Sequence, residues 1–231
     1  MIIHGLQKMS LLDFPGKMCC TVFTGGCDFR CPFCHNASLV LHPEEAEHLE
    51  ESEFFSFLEK RVGWLDGVAI TGGEPMMQKD LLPFAKRIKD LGFLVKLDTN
   101  GSYPERLREI VEAGVIDYVA MDIKNVPEFY GETVGIEKFD TTNIEKSMAF
   151  LKENRVPYEF RTTVVKTFHS PERMEALAKF IGDVPAYFLQ AFIDSDHNIR
   201  SGLEAYTDDE MKDIFEIVKK YIPSAQLRGV G

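Results

Sequence analysis

Cys27, Cys31 and Cys34 are spaced C-x3-C-x2-C, in a stretch that opens with Gly25-Gly26 and carries Pro32. Glycine and proline favour a loop, and a loop can wrap an inorganic core as a straight helix or strand cannot. Thiolates are the ligands that iron–sulfur clusters take. A cubane cluster has four iron corners, so three cysteines leave one iron free to bind a substrate or cofactor. The competing reading is a structural zinc closed by His35 as fourth ligand. It is the poorer one, because His35 is adjacent to Cys34 and poorly placed to reach the remaining tetrahedral corner.

The elements that must hold this loop follow a rhythm of apolar runs alternating with helix-like segments, the sign of βα units on a parallel sheet. Six strands are expected: Met18–Thr24, Gly67–Thr71, Phe93–Asp98, Tyr118–Ile123, Tyr158–Val165 and Ala186–Ile193. The expected helices are Glu51–Arg61, Lys79–Leu91, Pro104–Ala113, Thr142–Asn154, Pro171–Ile181 and Asp208–Tyr221. Before the first strand, Ile2 to Gly16 shows turn residues and no clear period. Glu44–Glu53 carries six glutamates and no lysine, which reads as a solvated face. Cys19 and Cys20 sit within the first strand and read as small buried hydrophobes.

In a parallel α/β barrel, ligands bind at the C-terminal ends of the strands, where the βα loops converge. Here every strand brings polar groups to that rim. The first runs into the cysteine loop, and the second ends in Thr71-Gly72-Gly73-Glu74-Pro75. The third ends in Asp98-Thr99-Asn100-Gly101, and the fourth carries Asp122 and Lys124. The fifth bears Arg161-Thr162-Thr163 and the sixth Gln190. Asp98, Asp122 and Arg161 lie in apolar strands, where a charge must find a partner. The structural alternatives are a turn cap for Asp98 and a local ion pair for Asp122 with Lys124. His169 follows a strand with no role assigned, and His197, Asn198 and Arg200 lie in a polar loop beyond the last strand, open to contact with a ligand or a partner.

Composition bounds the rest. The chain has 231 residues, 45% hydrophobic, with 18 phenylalanines, enough for a large core in one domain over residues 1–231. A net charge of −11 argues against a nucleic-acid surface. No apolar run is long enough to span a membrane. No signal peptide is expected at the N-terminus. Five cysteines, three of them clustered, suit metal chemistry in a reducing cytoplasm better than a disulfide framework.

TGGCDFRCPFCHN, ITGGEP, DTNG, DYVAMDIK and FRTTVV together resemble the radical S-adenosylmethionine (radical SAM) superfamily, over nearly the whole chain. Within it the chain is similar to the glycyl-radical-enzyme activases. The nearest likeness is to the longer activating proteins of anaerobic ribonucleotide reductase, followed by pyruvate formate-lyase activating enzyme. The resemblance implies an open partial (β/α)6 barrel. It also implies a single [4Fe–4S] cluster on Cys27, Cys31 and Cys34, since no cysteine-rich insertion follows Cys34. SAM binding is expected from Gly72, Gly73, Glu74, Asp98, Asp122, Lys124, Arg161 and Gln190, with no further catalytic side chain. Flavodoxin or ferredoxin would supply an electron, SAM would yield a 5′-deoxyadenosyl radical, and a glycine of a transiently bound partner enzyme would lose a hydrogen. The alternatives are a small-molecule radical SAM enzyme, such as a queuosine-pathway synthase, and a non-catalytic iron–sulfur or zinc protein.

Overall fold

The computed structural model describes Met1–Gly231. One sheet of eight strands runs in chain order: β1 (Gly5–Ser10), β2 (Cys19–Thr24), β3 (Gly67–Gly72), β4 (Leu94–Thr99), β5 (Tyr118–Asp122), β6 (Tyr158–Val164), β7 (Tyr187–Ala191) and β8 (Ala225–Arg228). β2 to β8 are parallel, and β1 is antiparallel to β2. The two edge strands do not pair with each other, so the barrel stays open. The helices are α1 (Ala37–Leu41), α2 (Glu51–Glu59), α3 (Leu81–Asp90), α4 (Pro104–Glu112), α5 (Pro127–Val134), α6 (Thr142–Lys152), α7 (Pro171–Ile181) and α8 (Asp208–Lys219).

The six expected strands are present as β2 to β7, and the six expected helices as α2, α3, α4, α6, α7 and α8. The sequence reading missed both edge strands. β1 reads GLQKMS, with a run of three exposed residues and one buried, so it lacks the alternation that marks a half-buried strand. β8 has four residues, and its pairing with β7 supplies what its composition does not. Short α1 and α5 were also missed. Residues 43–50 are turns and bends rather than helix, and their glutamates are exposed.

Strand alternation sorts side chains into two environments. Val95, Leu97, Val119, Met121, Phe160 and Leu189 face outward into the main core, where they meet Phe84, Ile88, Leu107, Ile110, Leu151 and Leu177 from the helices. Their neighbours in sequence face inward. There the apolar floor is small, made of Phe14, Cys19 and Ala69 with Leu94 and Tyr118 beside them. Above it the lumen is charged, carrying Lys96, Asp98, Asp122, Glu159 and Arg161. The open end of the barrel therefore positions chemistry, while stability comes from the outer layer.

Candidate functional site

The cysteine loop leaves β2 and is fastened to the start of the next βα loop by main-chain bonds. Gly73 N–H donates to Thr24 O at 2.8 Å and Glu74 N–H to Gly26 O at 2.8 Å. The Asn36 amide donates to Gly72 O at 2.9 Å and that of Gln78 to Gly25 O at 2.8 Å. This contact explains the glycine pair. A Cβ on Gly73 would overlap the carbonyl oxygen of Gly26, and one on Gly72, at φ +117°, would strike the backbone of Thr24. Both glycines line the cavity, but their first duty is to let two loops touch.

Glu74 departs from the expectation of a ligand contact. It is fully buried and absent from the cavity wall. Its carboxylate accepts from Met76 N–H at 2.9 Å, Thr99 Oγ1 at 2.9 Å and Asn100 N–H at 2.6 Å. Glu74 is thus a strut joining the loop after β3 to the loop after β4. Burial pushes it up to about 7 against the pull of those donors. Asn100 carries the linkage on to the cysteine loop, donating to Asp28 Oδ1 at 2.8 Å with Cys27 Sγ 3.8 Å from the same nitrogen.

Across the lumen the charged residues form one alternating row. Lys96 pairs with Asp98, and Asp98 Oδ2 lies 3.1 Å from Arg161 Nη1. Arg161 Nε lies 2.8 Å from Asp122 Oδ1, and Asp122 Oδ2 lies 3.0 Å from Lys124 Nζ. Burial alone would raise both aspartates. The Arg161 guanidinium, with Lys96 beside Asp98 and Lys124 beside Asp122, outweighs it and holds both carboxyls below the usual range. The same pairing overrides burial on Lys124 and Arg161, holding them above their ordinary values. Arg161 finds the partners that its place in an apolar strand demands, and the Asp122–Lys124 pair of the structural alternative exists as well. The pair also faces the cavity.

A cavity of about 250 Å³ joins these parts. Cys27, Cys31, Cys34, Gly72, Gly73, Asp98, Asp122, Lys124, Arg161 and Gln190 all line it. Gln190 does so from the exposed rim. The three sulfurs do not all lie within 4.8 Å of one another, nor do they form such a set with His35. One tetrahedral zinc needs sulfurs about 4 Å apart, given Zn–S bonds of ~2.3 Å. The three thiols face one cavity from a single loop, the donor set of a cluster that keeps one iron open. Phe29 N–H also points at Cys27 Sγ, 3.4 Å away, a donor suited to a metal-bound thiolate. Burial pushes the Cys27 and Cys31 thiols up to about 12 and raises Cys34 too, so binding iron must drive off their protons. Cys19 and Cys20 are buried in β2, as expected of small hydrophobes, and line no part of the cavity.

The sequence profile of the radical SAM superfamily matches residues 21–181, most of the chain. The chain belongs to the radical SAM superfamily. It is an enzyme of that superfamily, whose cofactors are a [4Fe–4S] cluster and SAM, and the cysteine set fits the cluster. A Methanocaldococcus jannaschii protein provisionally named a glycyl-radical enzyme activating enzyme is 33% identical over 99% of this chain and 96% of its own length. The pyruvate formate-lyase-activating enzyme of Listeria monocytogenes is 27% identical over 79% of this chain and 77% of its own. Among solved structures, Streptococcus suis SuiB bound to SAM superposes with a TM-score of 0.69 at 15% identity, over 89% of this chain and 49% of that one. That likeness shares the radical SAM fold.

Three residues in or behind the cavity wall carry no role from sequence alone. For Asn100, two positions after Asp98 in DTNG, that closeness is a usable signal. Lys96, a cation at mid-strand, broke the apolar pattern of LVKLD as visibly as Arg161 broke YEFRTT. His169 is fully buried, and Val165 N–H donates to its Nδ1 at 3.0 Å. Its Nε2–H therefore donates to Lys124 O at 2.7 Å, fixing the backbone that presents Lys124. Nothing local in the sequence marks that tie, which spans 45 residues.

Proposed function

We propose that this enzyme activates a glycyl radical enzyme, using one [4Fe–4S] cluster on Cys27, Cys31 and Cys34 and SAM in the cavity beside it. The observation that carries the reading is that cavity, where three thiols and the Asp98–Arg161–Asp122–Lys124 row share one wall. With one electron supplied, the cluster and SAM provide hydrogen-atom abstraction, SAM ending as methionine and 5′-deoxyadenosine. The chain's own part is to bind and orient. Three cysteines leave one cluster iron for SAM. Lys124 offers a cation to its carboxylate, while Asp98 and Asp122 accept from its hydroxyls or ammonium. Gly72 and Gly73 supply main-chain groups, and Gln190 borders the rim where adenine would lie.

The full-length relationship to the Methanocaldococcus protein supports a glycyl radical enzyme as partner. We take anaerobic ribonucleotide reductase as that partner, transiently bound, with a flavodoxin or ferredoxin as electron donor. The Listeria relative supports pyruvate formate-lyase as the second choice. With SAM, reductant and the reductase, an electron paramagnetic resonance doublet from a glycyl radical is expected on the reductase. Changing the radical-bearing glycine to alanine should abolish it. A doublet only with pyruvate formate-lyase moves the partner assignment, and none with any glycyl radical enzyme ends the activase reading.

A further inference from the structure

The strand that carries Asp98 also carries Lys96, which lies outside the cavity wall. Its side chain is 2% exposed and its ammonium pairs with Asp98 Oδ1. Its neighbours across the sheet are Ala69 on β3 and Tyr118 on β5. The Tyr118 hydroxyl is already given to Glu159 Oε2, at 3.0 Å. Beneath lies the apolar floor of Phe14, Cys19 and Ala69. A buried ammonium there is costly unless paired, and an uncharged side chain would suit the floor better. Asp98 is the one carboxylate with which Lys96 forms an ion pair.

The consequence falls on Asp98. One of its oxygens is held by Lys96 from below and the other by Arg161 from the side. Its carboxylate is thereby fixed in rotation, and its unused acceptor capacity is what it offers the cavity. The row Lys96–Asp98–Arg161–Asp122–Lys124 sets three cations against two carboxylates. Without Lys96, one guanidinium would serve both aspartates. The charged or titratable groups around Asp98 are Lys96 on its own strand, Arg161 on β6, Asp122 on β5 and Cys19 on β2. Burial pushes the Cys19 thiol up to about 11, so it stays neutral near pH 7 and cannot take over from Lys96.

We propose that Lys96 is a positioning residue, holding Asp98 as a fixed, ionised acceptor for the hydroxyls or ammonium of the SAM bound above it. This rests on the reading that SAM occupies the cavity. The test is equilibrium binding of SAM to anaerobically reconstituted protein between pH 5.5 and 8.5, comparing the parent with K96M, K96R, D98N and K96M/D98N. The parent sets the reference profile, which already carries the titration of the SAM α-amino group within this window. K96M should raise Kd about tenfold over the parent at pH 8, the worth of one charge-assisted hydrogen bond, and the ratio to the parent should grow as pH falls and Asp98 takes up a proton. K96R should recover the parental profile. In the D98N background, K96M should change Kd less than about twofold, since a residue acting through Asp98 loses its effect there. If K96M does not fold, the K96M/D98N and D98N pair, which leaves no lone buried carboxylate, still carries that comparison. A parental profile and parental Kd in K96M, or an equal penalty with and without Asp98, overturns the proposal while SAM binding stands. A parent that holds its cluster but binds no SAM removes the reading beneath it.

Discussion

At the scale of single residues, the division among the five cysteines is the sharpest result. Three reach the cavity and two lie in β2 with their thiols raised by burial, Cys19 to about 11 and Cys20 to about 12. Serine at Cys27, Cys31 or Cys34 should each abolish the cluster, measured as loss of about four irons per chain after anaerobic reconstitution. Serine at Cys19 or Cys20 should leave the iron content unchanged. Stoichiometric zinc with no iron uptake in the parent would contradict the ligand set. Glu74 shows the opposite kind of residue, one whose motif position suggests ligand contact while its three accepted hydrogen bonds make it a brace.

At the scale of elements, the site depends on how strand ends are tied together. β6 delivers Arg161, and the turn after it delivers His169 to the carbonyl of Lys124 beyond β5. Burial holds His169 down to about 4, so the folded state keeps it neutral. The unfolded chain takes up a proton near pH 6.5, and the stability tied to neutral His169 is present above that value. It is lost as pH falls through about 4, on the order of 3 kcal/mol in all. Denaturant midpoints from pH 4 to 7.5 should show this slope in the parent and lack it in His169→Ala. At pH 7 that variant should be less stable by roughly 2–4 kcal/mol, having lost two buried hydrogen bonds and left a void. Its SAM affinity should drop too, because the Lys124 carbonyl is released. An unchanged midpoint at pH 7 would show that the tie is incidental.

At the scale of the whole molecule, the open sheet sets what the cavity can receive. β1 and β8 stay unpaired with each other, so the barrel leaves a lateral gap that a closed one would lack. An extended peptide can approach the charged lumen through such a gap. A synthetic peptide spanning the partner's radical-bearing glycine, deuterated at the glycine α-carbon, should therefore pass deuterium into 5′-deoxyadenosine, read by mass spectrometry. Isotope-free 5′-deoxyadenosine formed at the same rate with and without peptide would count against peptide access. No helix is long and apolar enough to cross a membrane, and the charge of −11 opposes binding to nucleic acid.

What the sequence determined by itself was everything carried by neighbours along the chain. The cysteine spacing, the glycine pair after β3, Asp98 and Asp122 at the ends of apolar runs and the alternation of β2 to β7 with helices are local patterns. Each has a local physical cause, such as loop geometry, strand period or helix capping. The tertiary structure decided whatever depends on register between distant strands. Asp98 and Arg161 are 63 positions apart, and nothing in the stretch between them signals that the two will meet. A slip of one residue in β6 would turn Arg161 outward into the helices. The strut role of Glu74, the anchoring of Lys124 by His169 and the pairing of Lys96 beneath Asp98 belong to the same class. β1 and β8 were invisible for a related reason: their place in the sheet comes from hydrogen bonds to β2 and β7, which are paid for by the partner strand's backbone and leave no mark on their own side chains.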